Sequence, residues 1–468
     1  MPFDAHPKPA SEPYPPSQAG ANPRKIAVVG SGVAGLSAAW LLSRHHKVTV
    51  FEKDARLGGH ANTVDVPVDG PVDVPDRTVP VDAGFIVFNK PNYPNLTALF
   101  EHLDVALEDT CMSFAASMYD GKIEYAGRTL SSVFANRASL VSPSHWAMLR
   151  DITRFHKAAR AALNGEISDS VSLGDFVRQE GYSQSFCDNF LEPMASAIWS
   201  TPSMRILDFP AGAFFRFFDN HGLLQVLNMP MWNTVTGGSR EYVKRLAEPL
   251  LDRARTGTGI ATVRRVEAGV EVVTQTGEAA IFDEVVLATH ADQALSLLAD
   301  PTVQEKSVLG AFSYQPNEAY VHFDADQMPK RRRAWSSWNY LGGDGEPAVT
   351  YWMNQLQNLT CREDVFVTLN PVRDIPAAKT VARFSYTHPV FDIAAGKAQR
   401  ELWSLQGVGG VWYCGAHFGQ GFHEDGIQAG LAVAEAIGGV RRPWSVENES
   451  GRIYLPAHGT SSRKKEAA

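Results

Sequence analysis

Cysteine is scarce and scattered: Cys111, Cys187, Cys361 and Cys414 include neither a C-x-x-C pair nor zinc-finger spacing. This argues against thiol–disulfide chemistry and a disulfide scaffold, and no metal is expected. Reduced, mostly buried thiols in a cytoplasmic protein fit better. A secretion signal is not expected either. The first 23 residues carry prolines at positions 2, 7, 9, 13, 15, 16 and 23 and lack a continuous apolar core. They read as a disordered leader that cannot span a membrane. Positive charge is not in excess, since 43 Lys and Arg against 51 Asp and Glu leave a formal charge of -8, so no nucleic-acid partner is expected. The only dense basic run, Lys330 to Arg333, reads as a solvated turn after Pro329 in preference to a contact for anionic headgroups. No G-x-S-x-G elbow and no internal repeat occur.

What is present begins at Lys25. Ile26 to Val29 is a short apolar run of the kind that forms a buried parallel strand, and Gly30, Gly32 and Gly35 follow it at G-x-G-x-x-G spacing. Gly30 permits a tight turn, Gly32 lets the backbone approach a pyrophosphate, and Gly35 lets a helix lie close on the strand. Val33 and Ala34 open that helix, whose N-terminus offers free N–H groups to phosphate. A second strand, Val48 to Phe51, ends at Glu52, placed to accept hydrogen bonds from an adenosine ribose, with Lys53 beside it. These pieces in this order predict a dinucleotide cradle.

A second glycine pair follows within KDARLGGHANTV. Glu52, Arg56, Gly58 and Gly59 resemble the E-x-x-x-R-x-G-G signature of FAD-dependent oxidoreductases in the amine oxidase, phytoene desaturase and protoporphyrinogen oxidase superfamily. Many relatives have arginine directly after the glycines, where this chain has His60. At the far end GVWYCGAHFGQGFHEDGIQAG, Gly410 to Gly430, matches the closing flavin motif of that superfamily. There Gly415 ends a strand, and Asp425, Gly426 and Ile427 begin a helix whose N–H groups would stabilise negative charge on the flavin. Between them, Trp232 to Tyr242 carries a glycine pair before a helix, and Val263 matches the residue whose main chain touches adenine in relatives. The strand Phe282 to Thr289 would close that half of the cofactor fold. Cys414 abuts the motif, and a core role is preferred for it over covalent flavin attachment.

The resemblance implies FAD as cofactor and an α/β (α+β) fold: a discontinuous Rossmann-like domain over 24–89, 232–301 and 406–440, interleaved with a substrate domain of helices and a mixed sheet over 90–231 and 302–405. Residues 441–468 would form a polar tail. At 468 residues the chain is well above the ~250–300 at which a single core stops growing, as two intertwined domains require.

The substrate domain shows helical periodicity over Ser144 to Leu163, with Trp146, Leu149, Ile152 and Phe155 on related faces, and a capped helix from Ser172 to Arg178. An oily run follows: Phe209, Phe214, Phe215, Phe217 and Phe218, then Leu223, Leu224, Val226, Leu227, Met229, Met231 and Trp232. Each alone is ordinary core; as a group they suggest an apolar tunnel toward the flavin. AWSSWNY (334–340) and VTYWMNQL (349–356) alternate like strands and offer Trp338, Tyr340 and Tyr351 to the cavity roof. Phe215, Trp232, Trp338, Tyr340 and Tyr351 are the candidate substrate residues. Asn339 and Asn354 would need partners if buried.

A flavin enzyme needs alignment and water exclusion more than a triad. His417, His423 and Glu424 are the candidate catalytic groups, although structural hydrogen bonding accounts for each as well; His60 and His290 rank beside them. The runs AWSSWNY, YWMNQLQ and GAHFGQGFHEDGIQAG further resemble a bacterial flavoprotein group related to phytoene desaturases and linked with cyclopropane-type fatty-acid methyltransferases. That resemblance implies desaturation of an apolar substrate such as a lipid acyl chain, with peripheral contact to the inner face of a membrane left open. Two alternatives stand: an amine oxidase with an aromatic cage that releases hydrogen peroxide, and a lipid-binding carrier that has lost flavin chemistry.

Overall fold

The computed structural model describes residues 22–69, 76–165, 171–199, 207, 209–220, 222–224, 230–343 and 347–456. Residues 1–21 of the leader, Val226, Leu227, Met229, the side chain of Phe217 and residues 457–468 lie outside the described residues. The expected tail is corrected over 441–456, which packs on the protein with Arg442 and Ile453 buried.

A five-stranded parallel sheet holds the first core. Its order is Ala254–Arg255, Lys47–Phe51, Lys25–Val29, Glu284–Leu287 and Val411–Tyr413, so three distant stretches of chain meet in one sheet. Ile26, Ala27 and Val28 are fully buried, as a strand covered on both faces requires. The helix Val33–Leu42 leaves Gly30 and returns to the second strand. It lies unusually close to its neighbours. A Cβ on Gly35 would stand 2.0 Å from the Gly30 carbonyl oxygen, and one on Gly430 of the closing helix His423–Ile437 would stand 2.2 Å from the Ala34 oxygen. Only hydrogen at both positions lets strand and helices touch. A three-stranded antiparallel sheet, Ile260–Val266, Gly269–Thr274 and Ala279–Phe282, completes this half.

The second half is a seven-stranded mixed sheet ordered Thr380–Val390, Ser313–His322, Phe366–Leu369, Ala348–Trp352, Trp338–Gly342, Phe114–Met118 and Ile123–Ala126. Against it pack the helices Pro143–Asn164, Leu173–Gln179, Glu192–Trp199 and Ala211–Asn220. Ser172 caps the second of these by accepting from the Asp175 N–H at 3.0 Å.

Two expected strands are shorter than the sequence pattern. Chain 334–340 enters its strand only at Trp338, because Asn339 bonds both the N–H and the carbonyl of Ser336 and folds the lead-in back. Chain 349–356 leaves its strand at Trp352 for a turn of helix, Met353–Leu356, whose Asn354 accepts from Val365 N and donates to Glu363 O. Both asparagines thus have their partners. Among the described residues no helix is long and apolar enough to cross a membrane.

Candidate functional site

Between the two halves runs a cavity of about 1690 Å³. Ordinary small-molecule pockets span ~300–1,000 Å³, so this one has room for an elongated cofactor and a substrate together. One end is built by the glycine turn. Gly30, with φ +100°, lines it beside Gly32, Val33 and Ala34, and nothing of the protein lies within 4 Å of a Cβ placed on Gly32. Gly59 faces Gly32 closely, its own Cβ position standing 3.0 Å from the Gly32 Cα. The wall is therefore bare backbone on two sides, the cradle that a pyrophosphate fits.

Glu52 and Lys53 line the same end. The Glu52 carboxylate is buried and accepts from Ser31 N at 2.9 Å, Ser31 Oγ at 2.5 Å and Asp54 N at 3.0 Å. With about four lone-pair sites it keeps capacity for a ribose hydroxyl. Arg56 also lines the cavity, but its guanidinium is spent on the loop itself, donating to the carbonyls of Gly59 (2.7 Å), Ala61 (3.2 Å) and Leu57 (3.4 Å). Gly58 lies behind the wall. Its φ of +114° and the 3.0 Å bond from its N–H to Ser31 O shape the turn.

Val263, Asp425, Gly426 and Ile427, expected at the cofactor, also lie outside the lining. Val263 is fully buried away from the cavity, and its carbonyl accepts from Ala299 N; Thr258, Gly259 and Ile260, at the start of the same strand, form the lining instead. The register shift between Ile260 and Thr262 separates the strand's start from its paired remainder. In the closing motif, Gly415 lines the cavity, whereas Asp425, Gly426 and Ile427 are buried beneath it. Gly426 N already donates within the helix to Phe422 O at 3.1 Å, and a Cβ on Gly426 would press on Val33 at 2.8 Å. The first-turn N–H groups, which have no partner within the helix, belong to residues 423–425, directly before the positions the sequence implied. Asp425 instead accepts from Phe422 N at 2.8 Å and faces Arg452 at 3.4 Å. Cys414 is buried core outside the lining.

The middle of the cavity is a cluster of imidazoles and phenols. His60 stacks on Tyr386 at 4.8 Å with His388 5.6 Å away, and His290 stacks on Tyr314 at 4.4 Å. His423 lies flat on Phe85 at 3.7 Å with its Nε2 3.0 Å from the Tyr242 hydroxyl. His417 packs edge-on to Phe312. Five buried ring nitrogens on cavity-lining residues have no protein partner: His60 Nε2, His417 Nε2, Trp338 Nε1 and both nitrogens of His156. These four residues leave donors and acceptors waiting for a bound group. Glu424 is different. It lies outside the lining, and its buried carboxylate accepts from Asn95 N, Leu96 N, Asn95 Nδ2 and Gln428 Nε2 at 2.9–3.1 Å. The expectation of a catalytic Glu424 is corrected: it caps the helix Pro94–His102.

Burial holds these histidines neutral, lowering His388 to about 4 and His417 and His423 to about 3, with His60 also well below its ordinary value. The unfolded chain binds protons near pH 6.5 that the native state refuses, so stability falls as pH drops from 7 toward 5. Asp82, pushed up to about 6 by burial, and Glu424 and Asp425, raised by burial as well, oppose this with the opposite sign, but His156 and His322, lowered to about 4, join the four histidines and outnumber these carboxylates. Urea melts of the protein should show midpoints decreasing on acidification over that window; a rise would contradict the neutral cluster.

The far limb is mostly apolar, with the buried ring nitrogens of His156 as a polar exception and Arg128 and Thr153 at its exposed end. One face of the helix Pro143–Asn164 supplies Leu149, Ile152 and His156, and a π-helical turn at Cys187–Leu191 with the helix after it supplies Phe190, Met194 and Ile198. Trp232, Trp338 and Tyr351 line the cavity. Phe215 and Tyr340 do not. Phe215 is fully buried against Phe176 (4.8 Å) and Phe155 (5.6 Å), and Tyr340 is buried in the same core. The oily run around Phe214 and Phe218 is thus the packing behind the tunnel. The sequence did carry a signal for what was missed, since Phe384, Tyr386 and His388 alternate along one strand at period two.

Residues 33–354 match the family model described as flavin containing amine oxidoreductase. An L-amino-acid oxidase of Pseudechis australis is 43% identical over 63 residues, which cover 12% of this chain and 12% of that protein. Among solved structures, a wild-type putrescine oxidase bound to putrescine superposes with a TM-score of 0.61 at 16% identity, covering 88% of this chain and 98% of its own. A CLA-producing fatty acid isomerase from P. acnes gives 0.61 at 13%, with coverage of 88% and 98%. At such identities the likeness to the two structures is one of fold.

Proposed function

Because the chain belongs to the flavin-containing amine oxidoreductase family and is an FAD-dependent oxidoreductase, we propose that its reaction is the dehydrogenation of an apolar substrate, a lipid acyl chain. The observation that carries this reading is the charge pattern of the cavity. Among the described lining residues the only carboxylates are Glu52 and Asp54 at the adenosine end, and the distal limb around Ile152, Met194 and Trp338 offers hydrocarbon and aromatic surface. A cationic amine would enter that limb without a counter-charge. An acyl chain loses nothing by entering it and gains ~0.8 kcal/mol per buried CH₂.

FAD, when bound, supplies the hydride acceptor at flavin N5. The bare turn at Gly30–Gly32 and Gly59 would hold its pyrophosphate, Glu52 its ribose, and the segment from Gly415 to His423 would border its ring. The chain's own contribution is alignment: Trp338 and Tyr351 wall the chain-binding limb, and the buried aromatic lining excludes water from the reacting carbon. His417 and His423, held neutral, are poor proton stores and act as positioning groups through their ring nitrogens.

The amine-oxidase alternative draws on one observation, the stacked His60–Tyr386 pair, a ready aromatic wall for a neutral amine. Anaerobic mixing of the holoprotein with acyl phospholipids, isoprenoids or small amines separates the readings. Acyl lipids are expected to bleach the flavin band and amines to leave it; bleaching by amines alone would replace this proposal with the amine oxidase, and a protein that cannot be loaded with FAD would point to a carrier.

A further inference from the structure

Eleven large apolar side chains are exposed among the described residues, and four of them fall within seventeen positions: Leu130 (81% exposed), Leu140 (45%), Val141 (85%) and Trp146 (51%). They belong to one surface. Phe134 packs on Trp146 with ring centroids 5.1 Å apart and its N–H bonds Leu130 O, while Trp146 Nε1 donates to Leu140 O at 2.9 Å. Residues 125–150 contain no Asp or Glu and three arginines, Arg128, Arg137 and Arg150, in a chain whose formal charge is -8. Arg150 meets Asp151 at 3.0 Å; Arg128 and Arg137 have no ion pair among the described residues. The basic run picked out by sequence contrasts with this: Lys330 meets Asp120, Arg331 meets Glu124 and Arg332 meets Asp364.

The patch borders the cavity. Gly127, Arg128 and Thr153 are exposed and also line the cavity, with Val133 and Leu149 just inside, so its distal apolar limb reaches the surface beside Leu130. We propose that the surface spanning residues 127–146 docks this protein on an anionic lipid bilayer, with Leu130, Val141 and Trp146 entering the acyl boundary and Arg128 and Arg137 meeting the headgroups. Apolar tips flanked by unpaired arginines fit an interface that is oily below and negative above. A protein partner would be expected to match such tips with its own apolar surface and carries no general reason for a 26-residue stretch, 125–150, without Asp or Glu. The choice of a bilayer draws on the acyl-chain reading above, because a tunnel opening at the membrane lets a lipid enter without crossing water.

Flotation of the FAD-loaded protein with vesicles of phosphatidylcholine alone, or mixed equally with phosphatidylglycerol, tests it. Binding is expected on the mixed vesicles, weakened by salt, by about fivefold in R137Q and by about tenfold or more in L130S or V141S. None of these three residues lines the cavity, so flavin bleaching by detergent-dispersed acyl lipid should be unchanged in the variants. Equal partition of parent and variants, absence of the parent from the vesicle fraction, or a stable dimer that these substitutions dissociate would each overturn the proposal. Vesicle binding without acyl-lipid bleaching would leave the docking surface standing and remove the substrate reading.

Discussion

Replacing Gly32 by leucine is expected to yield a folded, colourless protein. No protein atom lies within 4 Å of the position a Cβ would take, so the apoprotein accommodates the side chain without moving. The space it fills is the one the pyrophosphate needs. Loss of that approach should cost at least about 3 kcal/mol of FAD affinity, roughly a hundredfold, read from flavin absorbance after dialysis with circular dichroism as the folding control. Gly35→Ala, three residues on, should fail for the opposite reason. Its methyl would lie 2.0 Å from the Gly30 carbonyl oxygen, so strand and helix must separate at a cost of about 3 kcal/mol. A yellow Gly32→Leu protein, or a Gly35→Ala protein as stable as its parent, would show that the cradle is misplaced.

Glu424→Ala should destabilise by about 3 kcal/mol while sparing the chemistry. The helix Pro94–His102 starts with a proline that has no N–H and with Tyr93, which provides no side-chain cap, so the N–H groups of Asn95 and Leu96 depend on a carboxylate from the closing helix. Removing it strands two buried donors at ~1–3 kcal/mol each, plus the Asn95 and Gln428 amides that shared its oxygen. Denaturant midpoints should fall, and the rate of flavin bleaching in the folded fraction should stay at the parent's value. A loss of rate without a loss of stability would return Glu424 to the reacting centre.

The cofactor half was legible because its constraints are local. A tight turn, a close backbone approach and a helix resting on a strand each demand glycine at a fixed spacing, and Gly30, Gly32, Gly35, Gly58 and Gly59 stand where those demands arise. Legibility faded where the signal was a carried-over position, as with Val263, whose strand meets the cavity three residues earlier, and Gly426, which is already hydrogen-bonded inside its helix. The substrate half was less readable still. Aromatic density around Phe215 is equally good for core and for tunnel, and only the packing of Phe155, Phe176 and Phe215 on one another decides for core.

The sequence by itself determined the cofactor class and the α/β frame, because close approach of main chain to ligand restricts residue type one position at a time. Tertiary structure alone decided which histidines share a wall, that Glu424 holds a helix, and where the apolar limb reaches the surface. Those properties depend on pairs such as His60 with Tyr386 or Asn95 with Glu424, more than 300 residues apart, and no local spacing records them.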